Sequence, residues 1–181
     1  PAERIEYIQR SIVPFLGSKG IDVLGIIPYD HLLSTITVKE LSEILNAKIL
    51  CCENKLDELV ENFSVGAMAV DKALKYFRKK KNKAVITGGD RPDIQLAALE
   101  TSTKCIILTG NMFPSEIILA QAEERHVPVM VVKDDTLSTV EKAERVFGRI
   151  RVRDSRKMAR AIELVDQNID YSNLYKKLGL R

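Results

Sequence analysis

The sequence predicts an α/β fold in three layers, with a mostly parallel sheet that carries helices on both faces. Short apolar runs alternate along the chain with segments in which apolar residues recur at helical spacing, a pattern typical of β-α units. The apolar runs are nearly continuous, which indicates strands that are buried on both faces. With 181 residues and 45% hydrophobic content, the chain is long enough to build such a core.

The apolar runs predict seven strands, at residues 23–27, 48–52, 65–68, 84–87, 105–109, 127–132 and 150–152. Six groups of apolar residues at helical spacing predict the helices between them: Val38/Leu41/Leu45, Val70/Leu74/Phe77, Ile94/Ala97/Ala98, Ile118/Leu119/Ala122, Val140/Ala143/Phe147 and Met158/Ile162/Val165/Ile169. Pro92 and Pro114 stand where helices are expected to begin, and Pro128 stands at the start of a strand. An amphipathic run at residues 5–12 precedes the first strand, and residues 170–181 predict a short final helix.

The composition excludes several classes of partner. The formal net charge is +3, from 28 basic and 25 acidic residues, which is too balanced to indicate nucleic-acid binding. Aromatic residues make up 6% of the chain and Trp is absent, which also disfavours a base-stacking surface. No apolar run approaches the ~20 residues of a membrane span, and the N-terminus shows no signal-peptide pattern. We therefore expect a cytoplasmic protein that binds neither nucleic acid nor membrane.

The cysteines and histidines do not predict a metal site. Cys51, Cys52 and Cys105 lack metal-ligand spacing and an even count, so we expect them to be reduced and buried in strands. Only two histidines, His31 and His126, are present, and both are interpreted as turn residues rather than general bases.

Two basic clusters have structural interpretations. Residues 78–83 lie where a helix is expected to end, and positive charge there offsets the helix dipole, so a solvated helix end is predicted. Arg149, Arg151 and Arg153 alternate with apolar residues and predict one basic strand face. Protection of a sheet edge is favoured over phosphate binding for these arginines.

The polar residues of the predicted sheet gather where its strands end. Four loops qualify as a site, because parallel strands end at the same edge and ligands of α/β proteins bind in the crevice there. These loops supply small residues, hydroxyl groups, carboxylates and one cation. The candidate ligand-binding residues are Gly66, Ala67, Met68, Thr87, Gly88, Gly89, Asp90, Arg91, Thr109, Gly110, Asn111, Asp135 and Thr136. This combination suits an anionic small molecule or a nucleotide.

The glycine-rich loop after the fourth predicted strand is the most informative of the four. Gly88 and Gly89 allow backbone amides to approach a bound group, and the start of the next helix adds partial positive charge. Asp90 and Arg91 add fixed charges of both signs. The alternative is a plain strand-to-helix turn in which the glycines serve geometry and Asp90 caps the helix. At residues 134–135, both Asp, helix capping is favoured over ligand contact.

The motifs of the common enzyme classes are absent. The sequence contains no phosphate-binding P-loop, no dinucleotide-binding glycine motif, no nucleophile elbow and no His near a Cys or Ser. We therefore expect no catalysis by this chain alone, no cofactor and no metal. An enzyme acting on a phosphorylated metabolite is a further alternative, but no nucleophile or activated base accompanies Asp90 and Arg91.

Six short motifs occur in one order between residues 25 and 148: Gly25-Ile-Ile-Pro28 with Leu32; Thr37-Val38; Val65-Gly-Ala-Met68; Ile86-Thr-Gly-Gly-Asp-Arg91 with Asp93 and Ala97-Ala98; Ile107-Leu-Thr-Gly110 with Pro114; and Val127-Pro-Val129 with Asp135-Thr136. Together they resemble the DRTGG domain. That module is found beside a dethiobiotin-synthetase-like P-loop domain in long phosphotransacetylases and related proteins, and inside some CBS-domain pyrophosphatases.

The resemblance implies an α/β accessory or regulatory domain that forms homodimers, does not transfer acetyl groups itself and is covalently linked to a P-loop or catalytic domain. It divides the chain into the end of a preceding P-loop domain at residues 1–28, the DRTGG domain at 29–150 and a C-terminal helix and tail at 151–181. The alternative function is a structural dimerisation or docking module without a ligand. This alternative is motivated by the absence of a catalytic constellation, and by an apolar C-terminal helix and a tail with Leu174 and Leu178, which need a surface to cover.

Overall fold

A computed structural model describes residues 2–147 and 155–180 of the chain. Two compact units are present. The described residues of Pro1–Leu33 and Val152–Arg181 form the first unit, and those of Ser34–Arg151 form the second. The assignment of residues 1–28 to a preceding P-loop domain, and the other two boundaries, stay predictions.

The second unit is built on a five-stranded sheet with strand order β2-β7-β6-β5-β4. Four neighbouring strands run parallel, and β2 pairs with β7 in the antiparallel direction at one end of the sheet. The strands are β2 (Lys48–Cys51), β4 (Asn62–Val65), β5 (Lys83–Gly88), β6 (Thr103–Thr109) and β7 (Val129–Val131). The predicted strand at residues 65–68 is displaced, because the observed strand ends at Val65 and the following residues form its loop.

Helices cover both faces of this sheet. They are α3 (Val38–Ile44), α4 (Val70–Lys79), α5 (Pro92–Leu99), α6 (Glu116–Glu124) and α7 (Thr136–Glu144). One core cluster joins α4, α5 and α6 to the strand face that contains Val85, Ile106 and Val129. A second cluster joins α3 and α7 to the opposite face, with Ile86 and Ile107. Successive side chains of each strand therefore pack into cores on opposite faces of the sheet. The predicted three-layer α/β class is confirmed.

A short antiparallel pair lies outside the main sheet and was not predicted. Its strands are β1 (Ile36–Thr37) and β3 (Leu59–Val60). Thr37 also begins α3 with a capping box, in which its side chain accepts the N–H of Glu40 and the Glu40 carboxylate accepts the N–H of Thr37. Short 3₁₀ turns occur at Leu32–Ser34 and Glu53–Lys55.

The first unit is helical among its described residues. It contains α1 (Ala2–Tyr7), a π-helical segment (Ile8–Ile12), α2 (Val13–Ser18), α8 (Ser155–Asn168) and α9 (Tyr171–Lys177). No helix in the described part of the chain is long and apolar enough to cross a membrane.

The predicted strand at residues 23–27 is wrong. Only an isolated bridge between Gly25 and Ile169 forms there, supported by the N–H of Asp170 donating to the carbonyl of Leu24 at 2.7 Å. The described part of this unit contains no strand for the apolar run to pair with. The predicted strand at residues 150–152, with its alternating arginines, lies outside the described residues.

Lys83 corrects the interpretation of the basic cluster at residues 78–83. It is the first residue of β5 and is fully buried, although the cluster was predicted to be a solvated helix end. Its ammonium donates to Thr101 Oγ1 and to the carbonyl of Ser102, both at 3.0 Å, and lies 5.6 Å from the centre of the Phe77 ring. Burial lowers the pKa of Lys83 from 10.5 to about 8.

Lys83 is expected to make the stability of the protein pH-dependent in the alkaline range. Between its folded pKa of about 8 and the ordinary value of 10.5, the unfolded chain holds a proton that the folded chain has released. The free energy of unfolding should therefore rise with pH across this window, and this group should add no slope below it. The measurement is the thermal melting of the protein at a series of alkaline pH values.

The Lys83→Met variant should lose this rise, whereas Lys79→Met, which removes an exposed charge from α4, should keep it. An unchanged alkaline rise in Lys83→Met would contradict the assignment of the titration to Lys83.

Candidate site at the carboxyl edge of the sheet

The parallel strands bring the four predicted loops to one edge of the sheet. Residues 66–68 follow β4, 89–91 follow β5, 110–112 follow β6 and 132–135 follow β7. Strand pairing places these strands side by side in the order β7-β6-β5-β4, so each loop has its neighbour in the sheet beside it. The edge is the position at which α/β proteins carry their ligand sites.

Three predicted site hydroxyls tie neighbouring loops together. Thr87 is buried and donates from Oγ1 to the carbonyl of Gly66 at 3.1 Å. Thr109 is also buried, and its hydroxyl lies 2.7 Å from the hydroxyl of Thr136 and 3.4 Å from the carbonyl of Thr87. These hydroxyls are engaged within the protein, so they position the loops.

The glycines of the edge provide room for the protein's own atoms. A Cβ on Gly66 would lie 2.3 Å from the Cγ2 methyl of Ile94, and a Cβ on Gly89 would lie 2.1 Å from the carbonyl oxygen of Met112. A Cβ on Gly88 would lie 2.3 Å from Oδ1 of Asp90, which is an exposed side chain. Neither Gly88 nor Gly89 has a left-handed backbone, so close packing is what requires Gly at position 89.

The loop after β6 turns through two left-handed residues. Gly110 has φ of 76° and Asn111 has φ of 55°. Asn tolerates this conformation better than most residues with a side chain. The N–H of Gly110 donates to the carbonyl of Asp134 at 2.8 Å, and that of Asn111 donates to Val132 at 2.9 Å. The turn therefore joins the β6 loop to the β7 loop.

The guanidinium of Arg91 bridges two loops. Its Nη2 donates to the carbonyl of Met68 at 3.1 Å, and Nε and Nη2 donate to the two carboxylate oxygens of Asp93 at 3.0 and 2.9 Å. The hydrogen bonds from Arg91 lower the pKa of Asp93 and hold that carboxylate in its charged form. Arg91 is half-buried, whereas Asp90 and Ala67 are exposed.

Gln95 is a site residue that the sequence interpretation did not include. It lies on α5 and is fully buried. Its Nε2 donates to the carbonyl oxygens of Gly88 and Gly89, both at 3.1 Å. The available signal was a polar side chain in the otherwise apolar stretch Ile94-Gln-Leu-Ala-Ala98 directly after the glycine loop.

Of the two acidic residues after β7, Asp135 caps a helix as predicted, whereas Asp134 does not. Asp135 caps α7, since its Oδ1 accepts the N–H of Ser138 at 2.8 Å, and this hydrogen bond lowers the pKa of the Asp135 carboxyl. Asp134 forms an ion pair with Lys142. Thr136 is the first residue of α7.

Two of the three cysteines, Cys52 and Cys105, are poorly suited to nucleophilic chemistry. Burial raises the pKa of Cys105 to about 12, and burial with the neighbouring Cys51 raises that of Cys52 to about 11, so their thiols stay protonated. Cys51 and Cys105 lie in strands as predicted, but Cys52 lies after β2 in a left-handed turn. No group of three His, Cys, Asp or Glu side chains in the described ranges is arranged to hold a metal ion. His126 lies in a turn before β7, as expected.

These features define a mostly parallel α/β domain, covered on both faces, whose loops converge at the carboxyl edge. The model of the DRTGG domain family matches residues 40–146, which is more than half of the chain, and the chain belongs to this family. The matched range lies within the second unit and contains the four loops of the edge.

Phosphate acetyltransferases are similar to the chain in sequence. That of Nitratidesulfovibrio vulgaris is 28% identical over 187 residues, covering 98% of this chain and 26% of the relative. That of Synechocystis sp. is 31% identical over 165 residues, covering 86% of this chain and 24% of the relative. The chain therefore spans about a quarter of the length of the curated relatives it matches.

A solved structure shows the same fold. It contains the CBS and DRTGG domains of the regulatory region of Clostridium perfringens pyrophosphatase, complexed with the activator diadenosine tetraphosphate. The TM-score is 0.52 at 18% identity, covering 82% of this chain and 79% of that chain.

The two adjacent glycines are expected to respond differently to a methyl group. Gly89→Ala should lower the free energy of unfolding by about 1–3 kcal/mol, because the new Cβ meets backbone atoms of Met112 that cannot move alone. Gly88→Ala should cost less than about 1 kcal/mol, because the exposed Asp90 carboxylate can rotate away. Chemical denaturation of both variants measures the difference.

Gly17→Ala is the matched control, since a Cβ there meets nothing within 4 Å. If Gly88→Ala and Gly89→Ala lowered the free energy of unfolding equally, close packing against Met112 would not distinguish the two positions.

Proposed function

We propose that this chain is a non-catalytic, regulatory ligand-binding module of a larger phosphate acetyltransferase-like protein. In this proposal, an anionic small molecule or a nucleotide binds at the carboxyl edge of the sheet. The observation that carries the proposal is the convergence of four loops on this edge, where the guanidinium of Arg91 joins the loop after β4 to the loop after β5.

The groups at the edge favour an anionic ligand. Arg91 is charged at any pH of interest, because its hydrogen bonds to Asp93 raise its pKa further. Its Nη1 group donates to no acceptor in the described part of the chain, so it can reach a ligand. The hydroxyls of Thr87 and Thr109 are already engaged within the protein, so Arg91 is the group of the rim that favours an anion, whereas the exposed carboxylate of Asp90 does not.

A regulatory rather than catalytic role fits both the chemistry and the relatives. Arg91 and Asp90 have no neighbouring thiol or histidine among the contacts described, and the pKa of two thiols is raised. The phosphate acetyltransferases that match are about four times as long as the chain. The related pyrophosphatase structure is of a regulatory region with an activator bound.

A thermal-shift screen of nucleotides, acyl phosphates and glycolytic acids tests the proposal. At least one compound is expected to raise the melting temperature, since a ligand at 100 times its Kd stabilises the folded state by about 2.7 kcal/mol. Arg91→Met should weaken binding of that compound about tenfold or more, because hydrogen bonds to a charged group are lost.

The control is Arg78→Met, which removes an exposed arginine at the end of α4 and should leave the shift unchanged. No shift with any compound would overturn the ligand-binding function. A shift that Arg91→Met leaves intact would place the site elsewhere.

A structural role in self-association is a second candidate, and one observation favours it. Helix α8 exposes Met158, Ile162 and Val165 on successive turns, with 49%, 56% and 36% of each residue accessible. Apolar side chains at this spacing form a continuous stripe on one face of a helix. A second copy of the chain is the occupant proposed for this stripe, through a symmetric contact.

Sedimentation velocity tests this second candidate. The unmodified chain should sediment as a dimer, and Ile162→Glu should shift it to a monomer because a charge cannot be buried in an apolar contact. Gln167→Glu adds the same charge elsewhere on α8 and should remain dimeric. A monomer for the unmodified chain would remove this candidate.

A further inference from the structure

The free edge of β4 faces an open groove on the second unit. β4 is the last strand of the sheet and, among the described residues, pairs only with β5. The groove has a volume of about 470 Å³, which is within the range of small-molecule sites. Tyr76 of α4 and Phe147, which follows α7, both line it. Because α4 and α7 pack on opposite faces of the sheet, these two aromatic side chains flank the strand edge from its two sides.

The pairing of β4 determines which of its backbone groups face this groove. The N–H of Gly66 donates to a carbonyl of β5 at 2.8 Å, and parallel pairing directs the N–H and C=O of every second residue toward the same neighbour. The backbone groups of Ser64 therefore face β5, whereas those of Phe63 and Val65 face the groove. The carbonyl of Phe63 agrees with this assignment, because it accepts the ammonium of Lys80 at 2.9 Å.

This edge presents a hydrogen-bond acceptor and a donor side by side. In an extended strand, the C=O of one residue and the N–H of the residue two positions on point to the same side. The Phe63 carbonyl and the Val65 N–H form such a pair. The carbonyl keeps a second lone pair beside the one that Lys80 uses, and the Val65 N–H has no acceptor in the part of the chain that the structure describes. An amino group next to a ring nitrogen can therefore bind both groups at once.

The two ends of the groove differ in charge. Near the start of β4, where α7 ends, the carboxylates of Glu61 and Glu144 outnumber the ammonium of Lys80. Met68 lines the other end, and its carbonyl accepts Nη2 of Arg91 at 3.1 Å. An anionic group is therefore disfavoured at the first end and attracted to the second. A ligand with a flat polar ring and a phosphate tail would lie with its tail toward Arg91.

We infer that this groove binds the base of an adenine nucleotide whose phosphates reach Arg91. The inference rests on the proposed function and specifies the ligand. The amino group of adenine donates to the Phe63 carbonyl, and the ring nitrogen beside it accepts the Val65 N–H. The exposed ring of Tyr76 stacks on the base. Guanine and hypoxanthine carry a carbonyl oxygen in place of this amino group, which would set one acceptor against another at Phe63.

Calorimetric titrations with ATP and with ITP test the recognition of the base. ATP should bind, and ITP should bind about tenfold or more weakly, because its carbonyl oxygen cannot donate to the Phe63 carbonyl. Inorganic tripolyphosphate carries the phosphates without a base and should also bind more weakly than ATP. Equal affinities for ATP and ITP would overturn the assignment of adenine. Equal affinities for ATP and tripolyphosphate would show that the groove holds no base.

Two variants separate the base from the phosphates. Tyr76→Ser should weaken ATP binding about tenfold, because stacking on the base is lost, and should leave tripolyphosphate binding unchanged. Arg91→Met should weaken the binding of both compounds. Tyr76 is 57% exposed and Tyr7 on α1 is 61% exposed, so Tyr7→Ser is the matched control and should bind ATP as the unmodified chain does. Unchanged ATP binding by Tyr76→Ser would overturn the inference.

The contact with the strand edge can be measured at one amide. Ser64-Val65 is the sole Ser-Val pair in the sequence, so a sample with carbonyl-¹³C serine and ¹⁵N valine gives a single filtered amide signal, from Val65. This amide proton should shift downfield with ATP and saturate at the calorimetric midpoint, because it gains an acceptor. A Val65 amide that does not move at saturating ATP would overturn the inference.

The outcomes also separate this inference from the proposed function. If ATP does not bind but another compound of the thermal-shift screen does, and Arg91→Met weakens that binding, the adenine assignment is overturned and the proposed function stands. If no compound of the screen binds, ATP included, the proposed function itself is overturned, and the inference with it.

Discussion

The parallel pairing of β4, β5, β6 and β7 is the constraint on which the rest of the structure depends. Strands that run in one direction end at one edge, so backbone hydrogen bonding alone brings together four loops that are distant in sequence. The contacts at that edge then fix the loops to one another. Thr87 holds the loop after β4, and Thr109 and Asn111 hold the loop after β7.

Burial of the sheet on both faces limits where polar chemistry can occur. The side chains in the middle of the strands pack into two apolar cores. Polar side chains are therefore confined to the strand ends, apart from a few buried ones that are hydrogen-bonded within the protein. Lys83 is such a case at the amino end of β5, and Gln95 lies beneath the carboxyl end of the same strand. The two differ in consequence, because Lys83 is expected to affect stability through its lowered pKa, whereas Gln95 holds the carbonyl groups of Gly88 and Gly89 in place.

The fold and the four loops could be predicted from the sequence, because both follow from local patterns. Apolar periodicity identified the strands β5, β6 and β7, and glycines and prolines marked where they end. The failures share a physical cause. The run at residues 23–27 is apolar enough for a strand, but a strand also needs a neighbour, and pattern alone does not reveal whether one exists. Lys83 follows a helix end in sequence, yet the strand direction turns its side chain toward Phe77.

The same limit explains why the sequence left two readings of the glycine loop open. A turn and an anion-binding loop use the same residue types, and they differ in which way the peptide groups of Gly88 and Gly89 face. That direction is set by hydrogen bonds from Gln95, one turn into the following helix, and by the packing of Met112 from the next loop over Gly89. Both contacts exist only once the helix and the neighbouring strand are in place. The chemistry of this edge is therefore a property of tertiary structure, although the residues that carry it lie within a few positions of one another in the chain.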